Sequence, residues 1–522
     1  MPKSKIKTKE YDDLGKGINV FTRDTMIKEN ESAAGYNVWA VGKNSIAKRP
    51  GITKLCTIAG GKAIDGLGCY YSGATRNLVA ISNGVPYTIE TGTAVTMSAV
   101  PASAGAFTAG KRHDFAQGVG NLFTANGVDK IRYFDGAWRE NTANSIVASY
   151  LIFYKSCLWA TGCPTVGKES SLYRSGDGAT VNAAVGNFTY NVSTNPLATE
   201  KYVSQSDGQK LKGFFKHQDY LYPVKERSLW RCSVGTDAAQ LITLEMVDPS
   251  RGCDSHFSID SVDNDNFMFQ EQGVMATGYE PNILDQLRTN IISLRIDNKI
   301  KAIEKSRLDD VCGIYFDNHY YLSYTSGGGG VNDTIMVYDR QRLGWWEFNI
   351  GANCFSEFKD SNGYTKLYFG DSTGNIYYFD AGVKSDNSSA ILTQWKTGKL
   401  GFGNYAQSKF FLQTVLYFGK TPGNVTINVY IDDKLAKTVP KKIGNTGTAG
   451  IGNSSIGTYI FGVEGGSLTI ADKGGGDFVP IPINKIGRNL QIEVTDNTSD
   501  KGWELNAYEV MYTELDNMFQ PI

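Results

Sequence analysis

Leu367-Tyr-Phe-Gly-Asp-Ser-Thr-Gly-Asn-Ile-Tyr-Tyr-Phe-Asp380 is the stretch whose reading decides the fold. Two short runs of aromatic and apolar residues flank a polar turn. Aromatic and β-branched side chains suit a pleated, half-buried strand, and Gly and Asn supply the turn. The stretch therefore reads as an antiparallel hairpin. The same design stands upstream in Leu78-Val-Ala-Ile-Ser-Asn-Gly-Val-Pro-Tyr-Thr-Ile-Glu90. There Asn83-Gly84 supplies the positive φ of a tight hairpin turn, and Asn126-Gly127 is read the same way.

Five more stretches fit. They are Leu122–Gly127 with Lys130–Trp138, Leu158–Gly162 with Ser171–Asp177, Leu221–Cys232, Phe267–Gly278, and Tyr320–Tyr324 with Thr334–Asp339 and Trp345-Trp346. The hairpins begin at 78, 122, 158, 221, 267, 321 and 367, a mean step of about 48 residues. Propeller blades repeat every ~40–50 residues. A four-stranded blade cannot bury both its faces alone, whereas blades packed radially bury them against one another. The sequence thus predicts an all-β chain with a β-propeller of about seven blades over residues 51–385. Trp138, Trp159, Trp230 and Trp345 are expected to fill the wedges between blades, and a strand lent by a neighbour, as terminal segments do in many propellers, to close the ring. The rival architecture, an array of β-sandwiches, has no reason to keep so regular a spacing.

The flanks differ. Residues 1–60 hold few strand signals, and 1–50 read as an N-terminal arm and docking segment. The apolar spacing of Ile283, Leu287, Ile291, Ile292, Ile296, Ile300 and Ile303, after Pro281-Asn282, predicts a helical insertion over about 283–305. Residues 384–390 read as a linker. Beyond it, alternating runs at 411–417, 425–431, 490–495 and 503–510 predict a separate C-terminal β-sandwich over 391–522, with the Gly-rich stretch 444–476 as a long loop or hairpin.

Composition narrows the function. With 52 basic and 53 acidic side chains the net charge is −1. A protein that grips phosphates needs a basic surplus, and a wall past which DNA slides does not. The eight cysteines, at 56, 69, 157, 163, 232, 253, 312 and 354, form no C-x-x-C pair and read as buried free thiols. Neither an apolar signal core nor a run of 18 apolar residues is present.

Signs of catalysis are sparse. His113, His217, His256 and His319 lack metal spacing, and no G-x-S-x-G elbow occurs. Each histidine reads as a surface or satisfied structural residue. Asp260, Asp263 and Asp265 suggest calcium, but the Gly and terminal Glu of an EF-hand loop are missing. Ser175-Gly-Asp177-Gly-Ala-Thr180 resembles the Asp-box turn of sialidase-like propellers, with Val181 where that turn closes on Trp; the box is a fold device. A sialidase-like hydrolase also needs paired carboxylates and clustered arginines. Arg112, Arg132, Arg174, Arg231 and Arg307 are the candidates. Lys3, Lys5, Lys7 and Lys9 read either as a solvated tail or as an arm that docks on an acidic neighbour. No catalytic, cofactor-binding or metal-binding residue is assigned, no cofactor is expected, and residues lining a DNA channel are left unassigned.

Three stretches together carry a resemblance. They are Gly17-Ile-Asn19 followed, after Asn37, by Lys48-Arg49-Pro50-Gly51-Ile52-Thr53-Lys54; Ile335-Met-Val-Tyr-Asp339 followed by Trp345-Trp346; and Leu490-Gln-Ile-Glu-Val494 followed by Tyr508-Glu-Val-Met-Tyr512. In this order, around a propeller, the chain resembles the β-propeller tail proteins of short-tailed bacteriophages, the packaged-DNA stabilization protein, tail hub or nozzle. The resemblance implies a virion protein assembled in the host cytoplasm, a homo-hexameric ring below the portal and adaptor, and packaged double-stranded DNA in its channel. It implies no catalytic residue. The glycine-rich loops 327–330 and 444–476 depart from it. The alternatives are a glycan hydrolase and a receptor-binding module at the tail tip.

Overall fold

The structure is a computed structural model, and it describes residues 5–515 apart from 59, 92–94, 100–104, 141–143, 178–184, 192–194, 236–241, 280–286, 361 and 445–476. The fold is all-β. The chain falls into two compact units, one of Thr53–Tyr338 with Asn349–Phe379, the other of Met1–Ile52, Asp339–Phe348 and Asp380–Ile522.

The first unit is a seven-bladed β-propeller. Its first five sheets each take four antiparallel strands in chain order, spanning residues 64–99, 114–140, 150–202, 211–248 and 260–291. The sixth contains Cys312–Phe316, His319–Tyr324 and Thr334–Asp339. The seventh contains Cys354–Lys359, Thr365–Gly370 and Asn375–Asp380, with Gly51–Thr57 as its fourth strand. The closing strand therefore comes from this chain itself. The inner strands, which start at Ile64, Asp114, Tyr150, Leu211, Asp260, Cys312 and Cys354, each touch the next, and the last touches the first. That cycle is a closed toroid, so the blades have no free face to leave in water.

Between blades lie apolar wedges. Tyr70, Val79 and Ile81 of the first blade meet Leu122, Phe134 and Trp138 of the second. Tyr154, Trp159 and Leu172 of the third meet Leu211, Phe214 and Leu221 of the fourth. Phe358, Tyr368 and Ile376 of the seventh meet Ile64, Leu67 and Leu78 of the first. Trp138 and Trp159 fill wedges as expected, and Trp230 packs partly buried beside Trp159's cluster. Trp345 is buried in the other unit.

The recurring hairpins are the second and third strands of the blades, 75–91 in the first and 365–380 in the seventh. Asn83 and Gly84 have φ of 49° and 78°, the turn expected of them. At 126–127 only Gly127 has positive φ; Asn126 instead caps the turn, its Oδ1 accepting from the amides of Val128 and Asp129.

Several sequence expectations change. The helical segment is shorter than 283–305: Leu287–Ile291 is the outer strand of the fifth blade, and helix is confined to Asp297–Lys301 with 3-10 turns at Leu294–Ile296 and Lys305–Asp310. Residues 281–286, with Ile283, lie outside the described residues. Ile291 supports both periods, but its side chain packs on the core between the fourth and fifth blades, so sheet burial wins.

The second unit is a β-sandwich, and it is larger than residues 391–522. One sheet runs Val38–Val41, Ser45–Lys48, Glu504–Glu514, Lys409–Phe418, Phe478–Gly487, with Lys7–Tyr11 also paired to Glu504–Glu514. The other runs Gly344–Phe348, Ser32–Tyr36, Thr393–Thr397, Leu490–Asp496, Gly423–Ile431, Lys434–Ile443. The faces meet where Tyr508 packs edge-on to Trp395 at 6.0 Å. Within residues 5–50, Lys7–Tyr11, Ser32–Tyr36, Val38–Val41 and Ser45–Lys48 are therefore sandwich strands rather than an arm. Lys7 pairs with Glu514 at 2.6 Å, Lys9 pairs with Glu29, and Lys3 lies outside the described residues. The supposed linker is a hairpin, Ser385–Asp386 paired with Ser389–Ala390 across Asn387 and Ser388, both at positive φ.

Candidate functional site

The residues just before the inner strands of blades two, five, six and seven sit at one end of the propeller axis, and here the axis is plugged. Arg112, two residues ahead of its blade, donates from Nη1 to the Asp309 carbonyl at 2.9 Å and from Nη2 to the Asn353 carbonyl at 2.7 Å. Its guanidinium lies 3.9 Å from the ring centroid of Phe257. Asp114 Oδ2 is 3.1 Å from His256 Nε2 and accepts from the Leu151 amide at 2.6 Å. Blade two is thus tied to blade three and to the segments that enter blades five, six and seven. These bonds of about 3 Å cross the ring at this end. The remaining cavity, about 200 Å³, is lined among others by Arg112, Asp114, Phe257, Cys312 and Cys354.

This geometry is that of a brace. The cavity is below the ~300–1,000 Å³ of ligand pockets. Burial pushes the Cys253 thiol up to about 12 and the Cys312 thiol up to about 11, so neither supplies a thiolate at neutral pH. The five arginines are not brought together. Arg132, Arg174 and Arg231 lie on the third strands of blades two, three and four, and Arg307 pairs with Asp310 in a 3-10 turn. Arg132 donates to the Gly105 carbonyl, Arg174 to the Leu197 carbonyl, and Arg231 to Glu245.

The histidines also serve locally. His113 is buried, with Nδ1 at 3.1 Å from Thr124 Oγ1, and burial holds its pKa down to about 3. His217 meets Asn266 at 2.9 Å, and His319 meets the Asp317 carbonyl at 2.6 Å. Asp260 accepts from the Tyr315 and Ser261 amides rather than joining Asp263 and Asp265 around an ion. Among the described residues no group of three or more His, Cys, Asp and Glu could hold a metal. All eight cysteines are free, and six are buried. Of the Asp-box stretch, Ser175 Oγ accepts from the Leu158 amide, Asp177 is exposed, and Thr180 and Val181 lie outside the described residues. A better-braced turn stands in blade seven, where Asp371 Oδ1 accepts from the Thr373 and Asn375 amides, both at 2.8 Å.

A second constellation lies within the sandwich, and residues from each of the stretches that carry the resemblance take part in its contacts. Lys48 is fully buried and donates to Asp496 Oδ2 at 2.8 Å and the Thr498 carbonyl at 2.7 Å. Arg49 grips Asp386 with two bonds, 2.8 and 2.5 Å, and donates from Nε to Asn37 Oδ1 at 2.9 Å. Gly17 has φ of +78°, and a Cβ there would stand 2.5 Å from the Trp345 backbone. Tyr11 stacks on Tyr508 at 4.6 Å. The local sequence around Lys48-Arg49 gives no reason for two adjacent buried cations; their partners Asp496 and Asp386, far along the chain, supply it.

One pH dependence follows from the propeller's carboxyls. Burial pushes Asp65 and Asp260 up to about 6. An unfolded Asp titrates near ~3.9. Each group therefore favours folding at the acid end and loses that contribution as pH rises from about 4 through 6. His113 acts oppositely, its contribution present above about 6.5 and lost as pH falls. The stability of the wild type relative to Asp260→Asn should fall by on the order of 1–2 kcal/mol between pH 4 and 7. Urea titrations at both pH values measure this, and a difference that does not move with pH would refute it.

No family profile and no curated protein matches the chain. Among solved structures, YCF48 bound to D1 peptide is similar over 65% of this chain and 96% of its own, at 9% identity and a TM-score of 0.38. BBS1N in complex with ARL6DN is similar over 64% of this chain and 98% of its own, also at 9% identity and 0.38. At these scores the likeness carries no argument, and the propeller stands on the closed cycle of inner strands.

Proposed function

We propose that the chain is a non-catalytic structural component of a short-tailed phage tail. Six copies form a ring below the portal and adaptor, retain the packaged DNA and line its exit channel. The observation that carries this reading is that residues of the resemblance stretches take part in buried long-range contacts: Lys48 and Arg49 with Asp496 and Asp386, Gly17 with Trp345, and Tyr508 with Tyr11. Each of these contacts joins residues hundreds of positions apart in the chain. The plugged axis supports the same reading from another side. A duplex has no path through the propeller itself, so a DNA channel has to be the axis of a ring of chains. Such a ring closes when one surface of each copy meets a different surface of the next. Near-neutral charge also suits passage.

The test is a particle assembled without this chain. Its heads should fill with DNA and then lose it, and intact tails should show sixfold density assignable to the protein below the portal. Heads that stay full without the chain, or density found only on peripheral fibres, would defeat the proposal.

A further inference from the structure

The sandwich ends on a strand of unusual charge. Lys434–Ile443 reads Lys-Leu-Ala-Lys-Thr-Val-Pro-Lys-Lys-Ile, with four lysines and no acid. It is the last strand in its sheet order, and all four lysines are exposed. Among the described residues none of the four enters an ion pair, while Lys7, Lys48 and Lys399 in the same unit do. Pairing sets Lys434, Lys437 and Lys441 opposite Ile431, Val429 and Val425, and so on one face, with Lys442 opposite Asn424 on the other. Eight residue steps at ~3.4 Å spread the charges over about 27 Å.

Lysines and Pro440 on an edge strand guard against strand addition. That role does not require an acid-free run of four beside a groove, and there is one. It measures about 550 Å³ and is lined by Lys441 and Lys442 with the neutral polar groups of Asn424, Thr426, Thr495 and Asn497. The one carboxylate in its lining, Asp496, is held by buried Lys48. Lysine is a mobile point charge, suited to phosphate without choice of sequence. The strand and the groove contain no aromatic side chain on which an unpaired base could stack.

We propose that this edge, Lys434, Lys437, Lys441 and Lys442 with the adjoining groove, is a sequence-independent contact for the phosphate backbone of duplex DNA. A linear row of cations fits a linear polyanion better than a single headgroup. The inference deepens the tail-ring reading, on which it rests for the source of the DNA.

The full chain is titrated with a short mixed-sequence duplex at several salt concentrations. Four phosphate contacts give a slope of log affinity against log salt near −3.6, or about a 150-fold loss between 50 and 200 mM. The variant with all four lysines changed to glutamine, checked for an unchanged melting transition, should lose that slope. A wild type with no salt-dependent binding, or a variant that keeps the slope, overturns the proposal. So does tighter binding of polyglutamate than of DNA, which would make the edge a dock for an acidic protein. If the four-lysine variant misfolds, the wild-type slope and the polyglutamate comparison still decide. Particles that lose DNA without the chain, together with a purified chain that binds no duplex, defeat this inference and leave the ring standing. Binding without a retention defect does the reverse.

Discussion

Lys48→Met is expected to lower the protein's stability by about 3–5 kcal/mol, the largest effect of any single charge removed from the sandwich. Lys48 and Asp496 expose 0% and 1% of their side chains. With the ammonium gone, Asp496 Oδ1 keeps the amide and hydroxyl of Thr498, but Oδ2 loses its cation inside the protein. An uncompensated buried charge costs more than the pair itself contributes. The companion variant makes the argument specific: Lys48→Met with Asp496→Leu should recover most of the loss, because apolar replacement of a buried pair is often neutral or stabilising. Urea unfolding at pH 7 reads both. If the double variant is as unstable as the single one, the loss is of packing and the ionic account fails.

A comparable loss, about 3–5 kcal/mol, is expected from Trp159→Ala in the propeller. Trp159 is fully buried between the third and fourth blades, among Tyr154, Leu172, Leu211, Phe214 and Leu221. Its indole Nε1 donates to the Tyr154 carbonyl at 3.1 Å, and the Arg174 guanidinium lies 5.7 Å from its ring. Truncation removes the largest fully buried side chain of that wedge and takes a hydrogen bond from the Tyr154 carbonyl. A rigid wedge does not collapse to fill the void, since each blade is held on its other side as well. Trp159→Phe should cost less than half as much. Hydrogen exchange should rise first in blades three and four. Exchange that rises evenly around the ring would mean that the wedge is not a local unit of stability.

The seven-fold recurrence was legible because it sits on the best-buried strands. Leu78, Leu122, Leu158, Leu221 and Phe267 all fall on second strands and are fully or almost fully buried, so their apolar runs are dense. The inner and outer strands were not legible. Thr199–Tyr202 has no fully buried residue, and Trp138–Glu140 is only three residues long. Turn chemistry was half visible. Asn83-Gly84 announces itself, but Lys155-Ser156 and Asp317-Asn318 adopt the same positive φ with no glycine to mark them. Residues 1–50 were misread for a related reason. Their short strands, such as Val38–Val41 and Ser45–Lys48, become strands by pairing with partners such as Glu504–Glu514, not by their own period.

Function divides along the same line. The sequence by itself determined that the chain is all-β, that it repeats about every 48 residues, and that it holds no metal or nucleophile motif, since these follow from local composition and spacing. Only the tertiary structure decided that Arg112 and Asp114 bridge blades across one end of the axis, that the Lys48–Arg49 motif is a buried lock with Asp496 and Asp386, and that four exposed lysines on one edge enter no ion pair among the described residues. Arg112 and Asn353 are 241 residues apart and meet at 2.7 Å. Contacts of that range leave no local period in the chain; they exist only after the ring closes and carries both ends to the same place.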